Sequence, residues 1–379
     1  MRPCLVTLGA AILAFTPLAA ASTPSSPSMA LARDCQLSAD TKGKGHLPGG
    51  SDEGDPDLTE ADLVAFSSRR IAAARARESR RADRLFNDPF AELLAGRDAM
   101  QVNEHMDKSS KLTGKCEGDS TSGFSSDAIT AAAKRSRRLA IRTRFCDDFF
   151  EDCVISRGIK QVVLLGAGMD TRGLRLRATT GTTVFEVDQS IVLRFKDNLL
   201  SKLESNGGLL ENADAPVRAR VVGVEADLSK TGWEGELFEA GFDPSLPSAW
   251  ILEGLTMYLD EQALVSLLHV LSKLCSPGSA FCATTVSSRF LARAQVGANE
   301  LVSSWKWGSD NPQAFFQATF PAGWHFQAVT CGTPGTFPDG ADYSIGFEGP
   351  GPAYVVGYIS TVEPEHFVKE GGRPAEEQL

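Results

Sequence analysis

Gly166 and Gly168 stand one residue apart at the end of the apolar run Gln161–Leu165, directly ahead of a segment with helical character. Glycines in that place let backbone approach a ligand closely, and the first turn of a helix presents amide donors with partial positive charge. Two glycines alone serve a nucleotide or a tight structural turn equally well. The dinucleotide fingerprint wants glycine at the first, third and sixth positions, the last for close packing beside a pyrophosphate. Here the fifth and sixth positions are Asp170 and Thr171. An acid at that point repels phosphate and suits a cation, so the pattern disfavours NAD and FAD and leaves a phosphate-free nucleoside open. The arginines that follow, Arg172, Arg175 and Arg177, read as helix-packing and surface residues.

Downstream, at the spacing a ribose-binding acid expects, the apolar segment Thr183–Val187 carries Glu186 and ends at Asp188. A carboxylate at such a tip accepts bonds from vicinal ribose hydroxyls; the alternative is a solvated acid at a strand end. Asp227 closes a third apolar run, either as an acceptor for an adenine amino group or as a cap for the next helix. Glu253 lies just past a fourth run, with Tyr258 a short turn later. A carboxylate buried there requires a cation or donor, and an ammonium or sulfonium would serve.

Bringing these positions together takes a particular scaffold. Apolar runs at Gln161–Gly166, Thr183–Val187, Arg218–Val224, Ala249–Leu252 and Ala280–Val286 are separated by helix-like stretches long enough for parallel crossovers. They predict an α/β, doubly wound, mostly parallel sheet, and Trp324–Val329 with Ala353–Ser360 predict a closing hairpin. Ahead of the sheet, Leu58–Arg84 has helical periodicity, with Leu63, Phe66, Ile71 and Ala74 on one face. A second helix is expected after Asp88-Pro89, and a third from Ala128 to about Cys153. The expected organisation is a targeting segment (1–33), a flexible linker (34–57), a helical region (58–158) with a mobile Gly/Ser-rich insertion at 108–127, the sheet-bearing core (159–362) and a tail (363–379).

The composition, 42% hydrophobic and 23% charged, suits a globular protein. A net charge of -10 argues against nucleic acid as a partner, since a grip on phosphates depends on Lys and Arg. The eight cysteines form no CxxC pair and no Cys/His cluster, so neither a metal nor a disulfide framework is expected. The amino terminus has one arginine, an apolar stretch and the small residues Ala19–Ala21, followed by a Ser/Thr/Pro-rich segment without acids before Asp34. That order predicts a bipartite address of the kind that reaches plastids through the secretory route. Secretion and cytoplasmic residence are the alternatives, and the apolar stretch is short for a membrane span, so no stable insertion of the mature chain is expected.

Taken together, "AAARARES", "LFNDPFAELLAG", "AIRTRFCDDF", "QVVLLGAGMDTRGLRL", "VFEVDQSIVLRFK", "ADLSKTGW" and "WILEGLTMYL" resemble, in order and spacing, the leucine carboxyl methyltransferase family, and more closely its branch of microbial S-adenosylmethionine-dependent O-methyltransferases. The resemblance runs from about Leu58 to Ser360. It implies a class I methyltransferase (Rossmann-like) sheet under a helical lid, with S-adenosyl-L-methionine as cofactor. It places Gly166, Ala167 and Gly168 along the methionine and ribose, Asp188 on the ribose with Glu186 and Asp170 nearby, Asp227 and Leu228 around the adenine, and Glu253 at the methionine end. Arg142 or Arg144, and Arg75 or Arg77, would reach the cofactor carboxylate, which a guanidinium fork suits. The chain departs from the branch at Ser190, often proline there, and at Met169 and Leu174, where a leucine and an aromatic are usual.

Methyl transfer from a sulfonium is an in-line displacement. A carboxylate acceptor is already ionised near neutral pH, so alignment and desolvation suffice. A hydroxyl acceptor would need a base, for which Tyr258, His325 or a nearby acid such as Glu253 are candidates. His105 and His269 read as helix-face residues. The expected activity is O-methylation of a small molecule. The alternatives are methylation of a protein's carboxyl-terminal leucine, NAD(P)-dependent oxidoreduction, and a catalytically inactive cofactor-binding regulator.

Overall fold

The computed structural model describes residues 60–112, 126–205, 217–296, 304–330 and 353–359. Short, nearly continuous apolar runs form its middle, as expected where a parallel sheet is covered on both faces. β1 (Gln161–Leu165), β4 (Ser248–Leu252) and β5 (Ala280–Thr285) are buried along their whole length. β2 (Thr183–Asp188) is buried past its first residue, and β3 (Arg220–Glu225), the edge, has only Val224 fully buried. β6 (Trp324–Thr330) and β7 (Ala353–Ile359) complete a seven-stranded sheet of order β3-β2-β1-β4-β5-β7-β6. The first five strands are mutually parallel and β7 runs antiparallel to both neighbours. All seven predicted strands are present, the closing hairpin included.

The helices divide between the two faces. Alternate strand residues Val163, Leu165, Phe185, Val187, Trp250 and Phe281 pack with α6 (Trp233–Glu239), α7 (Glu261–Lys273) and α9 (Pro312–Thr319). Asp260 caps α7 through the Ala263 amide at 2.8 Å, and Asn311 caps α9 with Pro312 in its first turn. The opposite residues, Val162, Leu164, Val184, Ala249 and Ile251, meet Phe145, Phe149 and Phe150 of α3 (Ser126–Glu151), which ends in a π-helical turn, Asp152–Ser156. Losing the ring of Phe281, which touches four other aromatic rings, would cost about 3–5 kcal/mol.

α1 (Glu60–Ser79) and α2 (Ala91–Leu112) approach closely because Ala72, Ala73 and Ala95 lie between them. α1 stops at Ser79, short of the Arg84 boundary read from periodicity. Side chains of its last turn take over the loop amides: Glu78 Oε1 accepts from Leu85 N at 2.8 Å and Ser79 Oγ from Asp88 N at 2.8 Å. The remaining helices are α4 (Arg172–Arg175), α5 (Ser190–Ser205) and α8 (Ser288–Val296). Residues 1–57, most of the 108–127 segment (113–125) and the tail 363–379 lie outside the described residues; 108–112 end α2 and 126–127 begin α3. Among the described residues no helix is long and apolar enough to cross a membrane.

The strand order reverses between β1 and β4. In open α/β sheets ligands bind outside the carboxyl ends of the strands at such a switch point, which is where Gly166 and Glu253 stand.

Candidate cofactor and active site

The turn after β1 uses its glycines for conformation and for space. Gly166 and Gly168 have φ of 68° and 50°, in the left-handed region. A Cβ on Gly166 would sit 3.1 Å from Leu255 Cδ1, and one on Gly168 would sit 3.0 Å from Ser68 Cβ of α1. The amides of Gly166 and Ala167 donate to Val187 O at 2.9 and 3.2 Å, tying the turn to the tip of β2. There Asp188 is buried and accepts from Gly168 N at 2.6 Å and Gln189 N at 2.7 Å, one bond on each oxygen. Burial pushes its carboxyl above the usual carboxylate range against the pull of those amides. Each oxygen keeps a second lone pair for a hydroxyl.

Its neighbour on β2 is engaged differently. Glu186 Oε2 lies 2.6 Å from Lys196 Nζ of α5, both groups buried, and the ammonium also donates to Asp170 O. Glu186 therefore anchors α5 to the sheet and to the glycine turn.

Four arginines and four carboxylates alternate through the crevice. Arg75 of α1 donates to Asp88 Oδ2 at 2.8 Å and to Met169 O. Asp88 also accepts from Thr171 Oγ1 at 2.8 Å and lies 3.9 Å from Arg175 Nε. Arg175 Nη2 and Arg172 Nε share Asp147 Oδ1, at 2.6 and 2.8 Å. Arg172 then reaches Asp170 Oδ2 and, through Nη2, Glu253 Oε2 at 2.6 Å. Glu253 Oε1 accepts from Arg142 Nε at 2.8 Å. Burial works against the charge of Glu253, but Arg172, Arg142 and Arg75 outweigh it and bring the carboxyl down to about 2. Burial likewise opposes the Arg172 guanidinium, which Asp170, Glu253 and Asp147 hold protonated.

Arg172 and Arg175 are thus not surface residues: their side chains are 2% and 4% exposed, and only Arg177 faces solvent. The cation that Glu253 needs is furnished by two guanidiniums of the chain itself. The structure also separates the arginine candidates. Arg144 is held by Asp148 at 2.8 Å and Leu85 O at 3.0 Å. Arg142 is held only by its Nε, and among the described residues its Nη1 and Nη2 take no hydrogen bond while lying beside Gly254. That fork, fixed at one edge and open at the other, fits a carboxylate.

α1 lies across both sides of the switch point. Ser68 meets Gly168 after β1, and Ser67 Oγ meets Tyr258 OH at 2.9 Å after β4, in the 3₁₀ turn Thr256–Tyr258. Asp227 stands beyond β3, where Ser229 N and Oγ bond its Oδ1 at 3.0 and 2.6 Å and Lys230 pairs with its Oδ2 at 2.9 Å. It shapes that loop rather than capping α6, whose cap is Gly232. Leu228 beside it is buried in the core. His325 is exposed at the start of β6, in register with Tyr358 and, through it, with Ala280 at the opposite end of β5 from the crevice. The sheet therefore removes it as a base. His269 is exposed on α7, as expected; the side chain of His105 lies outside the described ones.

The profile of the leucine carboxyl methyltransferase family matches residues 68–272, more than half of the chain. The chain belongs to that family. A relative from Saccharopolyspora erythraea, provisionally named an S-adenosyl-L-methionine-dependent methyltransferase, is 35% identical over 248 residues, covering 65% of this chain and 75% of the relative. One of the same provisional name from Mycobacterium avium is 37% identical over 58% of this chain and 65% of its own length, and one from Mycobacterium sp. (strain JLS) 39% over 58% and 66%. The match thus spans just under two thirds of those two. A solved DUF574 family protein from Streptomyces avermitilis aligns over 78% of this chain and all of its own, with a TM-score of 0.41 and 13% identity. An O-methyltransferase family protein from Burkholderia thailandensis aligns over 75% and 74%, with a TM-score of 0.39 and 13% identity. Likenesses at that level carry no weight beside the strand order, which is that of a class I methyltransferase.

This member of the leucine carboxyl methyltransferase family is therefore an S-adenosyl-L-methionine-dependent methyltransferase, and oxidoreduction is set aside. The glycine turn, the open Arg142 fork and the anchored Asp188 fit that cofactor's uncrowded backbone contact, carboxylate and ribose. Sequence reasoning missed Asp147, Lys196 and the Arg172 and Arg175 contacts. The adjacent acids in "FCDDF" were the one visible sign of the first.

Proposed function

We propose that this methyltransferase methylates a carboxylate oxygen of a small molecule, within the wider class of O-methylation at carboxylate or hydroxyl. The observation that carries the reading is the state of Glu253: with its carboxyl at about 2 and both oxygens on guanidiniums, it is a poor proton acceptor near neutral pH. An acceptor already ionised asks for no base. The lid helix over the crevice, bonded through Ser67 to Tyr258, favours a small acceptor over a protein tail.

S-adenosyl-L-methionine, when bound, supplies an electrophilic methyl on a sulfonium. The chain's residues then do the positioning. Arg142 offers two N–H groups to the cofactor carboxylate, and Glu253 keeps that guanidinium from turning. Gly166, Ala167 and Gly168 admit the ligand to backbone, and Asp188 accepts from ribose hydroxyls. Asp227 and Leu228 flank the adenine, while Arg75 and Asp170 hold the turn and lid in register. Tyr258 sits on the acceptor side of Glu253, where its hydroxyl, shared with Ser67, can orient an oxygen.

The test is calorimetry with S-adenosylhomocysteine together with labelled-methyl transfer onto a small-molecule extract. Arg142→Ala should weaken binding about tenfold or more, as a lost charge-assisted pair does, and Arg144→Ala should leave it near wild type. Label recovered as methanol after mild alkali marks an ester. An alkali-stable product would mean a hydroxyl acceptor, and binding without any labelled product would favour the regulator.

A further inference from the structure

Trp305, unlike the other four tryptophans, is not among the buried core residues. Its segment is tied to the 3₁₀ turn after β4, with Lys306 N and Trp307 N donating to Met257 O at 2.7 and 3.3 Å. Two residues on, Ser309 N donates to Val286 O at 2.9 Å, just past β5. The segment is therefore held beyond the carboxyl ends of β4 and β5, and β5 lies on the side of β4 away from β1 and its glycine turn. The Trp305 ring makes an edge contact with Tyr258 at 6.4 Å between centroids and a tilted one with Phe290 at 6.0 Å. Its Nε1 is shielded from solvent and, among the described residues, has no hydrogen-bond partner. Trp324 Nε1 shares that state but lies at the opposite end of the sheet, at the start of β6. A buried N–H is rarely left orphaned, and an unmet donor beside a crevice asks for an acceptor atom from outside the chain.

We infer that Trp305 Nε1 is a substrate-binding donor that grips one oxygen of the methyl acceptor's carboxylate, and that Phe290 and Tyr258 form with it a wall for an aromatic body attached to that carboxylate. The inference rests on the carboxylate reading above and adds to it the group that selects the acceptor. Trp305 gives the wall its direction, because an indole donates and never accepts. The four arginines and four carboxylates of the crevice cancel in charge. A neutral surround leaves the anion to a local donor and to the sulfonium rather than to a competing guanidinium.

The experiment uses the full chain saturated with S-adenosylhomocysteine and labelled with ¹⁵N at its five tryptophan indoles. Trp305→Phe assigns the resonance. Benzoate, 3-phenylpropionate and 4-phenylbutyrate, each beside its primary amide, are the probes. At least one carboxylate should bind saturably, move the Trp305 N–H signal more than the other four, and bind more tightly than its amide. Trp305→Phe should weaken that carboxylate about tenfold or more, the effect of losing a bond to a charged group, with S-adenosylhomocysteine affinity unchanged. Carboxylate binding that leaves the Trp305 signal still, equal affinity in Trp305→Phe, or no saturable carboxylate binding would each overturn the inference. Failure of S-adenosylhomocysteine to bind the wild-type chain is seen before any carboxylate is added; it would strike the cofactor site itself and the inference with it.

Discussion

Replacing Glu253 by glutamine removes one charge from the crevice and almost no volume. The wild-type carboxyl lies at about 2 against an ordinary 4.5, a separation equivalent to about 3 kcal/mol of stability at neutral pH. The geometry agrees: bonds of 2.8 and 2.6 Å to Arg142 and Arg172 are made by a carboxylate largely withdrawn from water. Removing one partner of such a pair costs about 3–5 kcal/mol, because the other charge stays behind unpaired. Asp147 and Asp170 still neutralise Arg172, so the lower end of that range is expected. A depressed carboxyl contributes fully above its unfolded value and loses that contribution as pH falls toward its folded one. The difference between wild type and Glu253→Gln should therefore be about 3 kcal/mol near neutrality and roughly half that near pH 3. Urea unfolding at a series of pH values reads it, and S-adenosylhomocysteine titration should show about tenfold weaker binding as Arg142 loses its brace. Equal stability of the two proteins near neutrality, or a gap that widens on acidification, would refute the reasoning.

Gly168→Ala should destabilise the chain by about 1–2 kcal/mol through its left-handed backbone, with a further loss from the 3.0 Å approach to Ser68; denaturant midpoints report it, and an unchanged midpoint would contradict the fit of α1 on the turn. Asp148 is raised by burial to about 6 despite Arg144, so its ionisation penalises the fold as pH rises from its ordinary value through about 6. Asp148→Asn, still an acceptor for Arg144 Nε, should then stabilise by about 1–2 kcal/mol above that pH and by little in acid, seen as a pH-dependent rise in Tm. Lys196→Met leaves Glu186 charged and buried and should cost about 3–5 kcal/mol, whereas adding Glu186→Leu should recover most of it; a double variant no better than the single would place the cost elsewhere than in the ion pair.

Strands were the most legible part of the chain. Each apolar run lies within one or two residues of its structural boundary, and for β1, β4 and β5 burial along the whole strand leaves little latitude. The hairpin of β6 and β7 was also readable, although its partners lie far apart in sequence. Gly166, Gly168 and Asp188 were legible because a turn, a positive φ and a strand tip are local events. Arg172 was not. It sits in a helix of one turn, and its acids come from α3, the glycine turn and the residue past β4, 25 to 81 positions apart at its ion pairs with Asp147 and Glu253. No periodicity relates them. Arg142 and Arg144 look alike in "AIRTRF" and differ only because two positions on a helix point to different neighbours, Glu253 for one and Asp148 for the other.

The first helix, α1, rests on Gly168 through Ser68 and on Tyr258 through Ser67. Adjacent residues of one rigid rod cannot move independently, so the rod cannot uncover the donor side and leave the acceptor side shut. If ligands exchange by displacement of α1, entry of a fresh donor, escape of the spent one and exit of the methylated product would share a single opening event. A substitution at Ser67 that frees Tyr258 would then alter all three exchanges together.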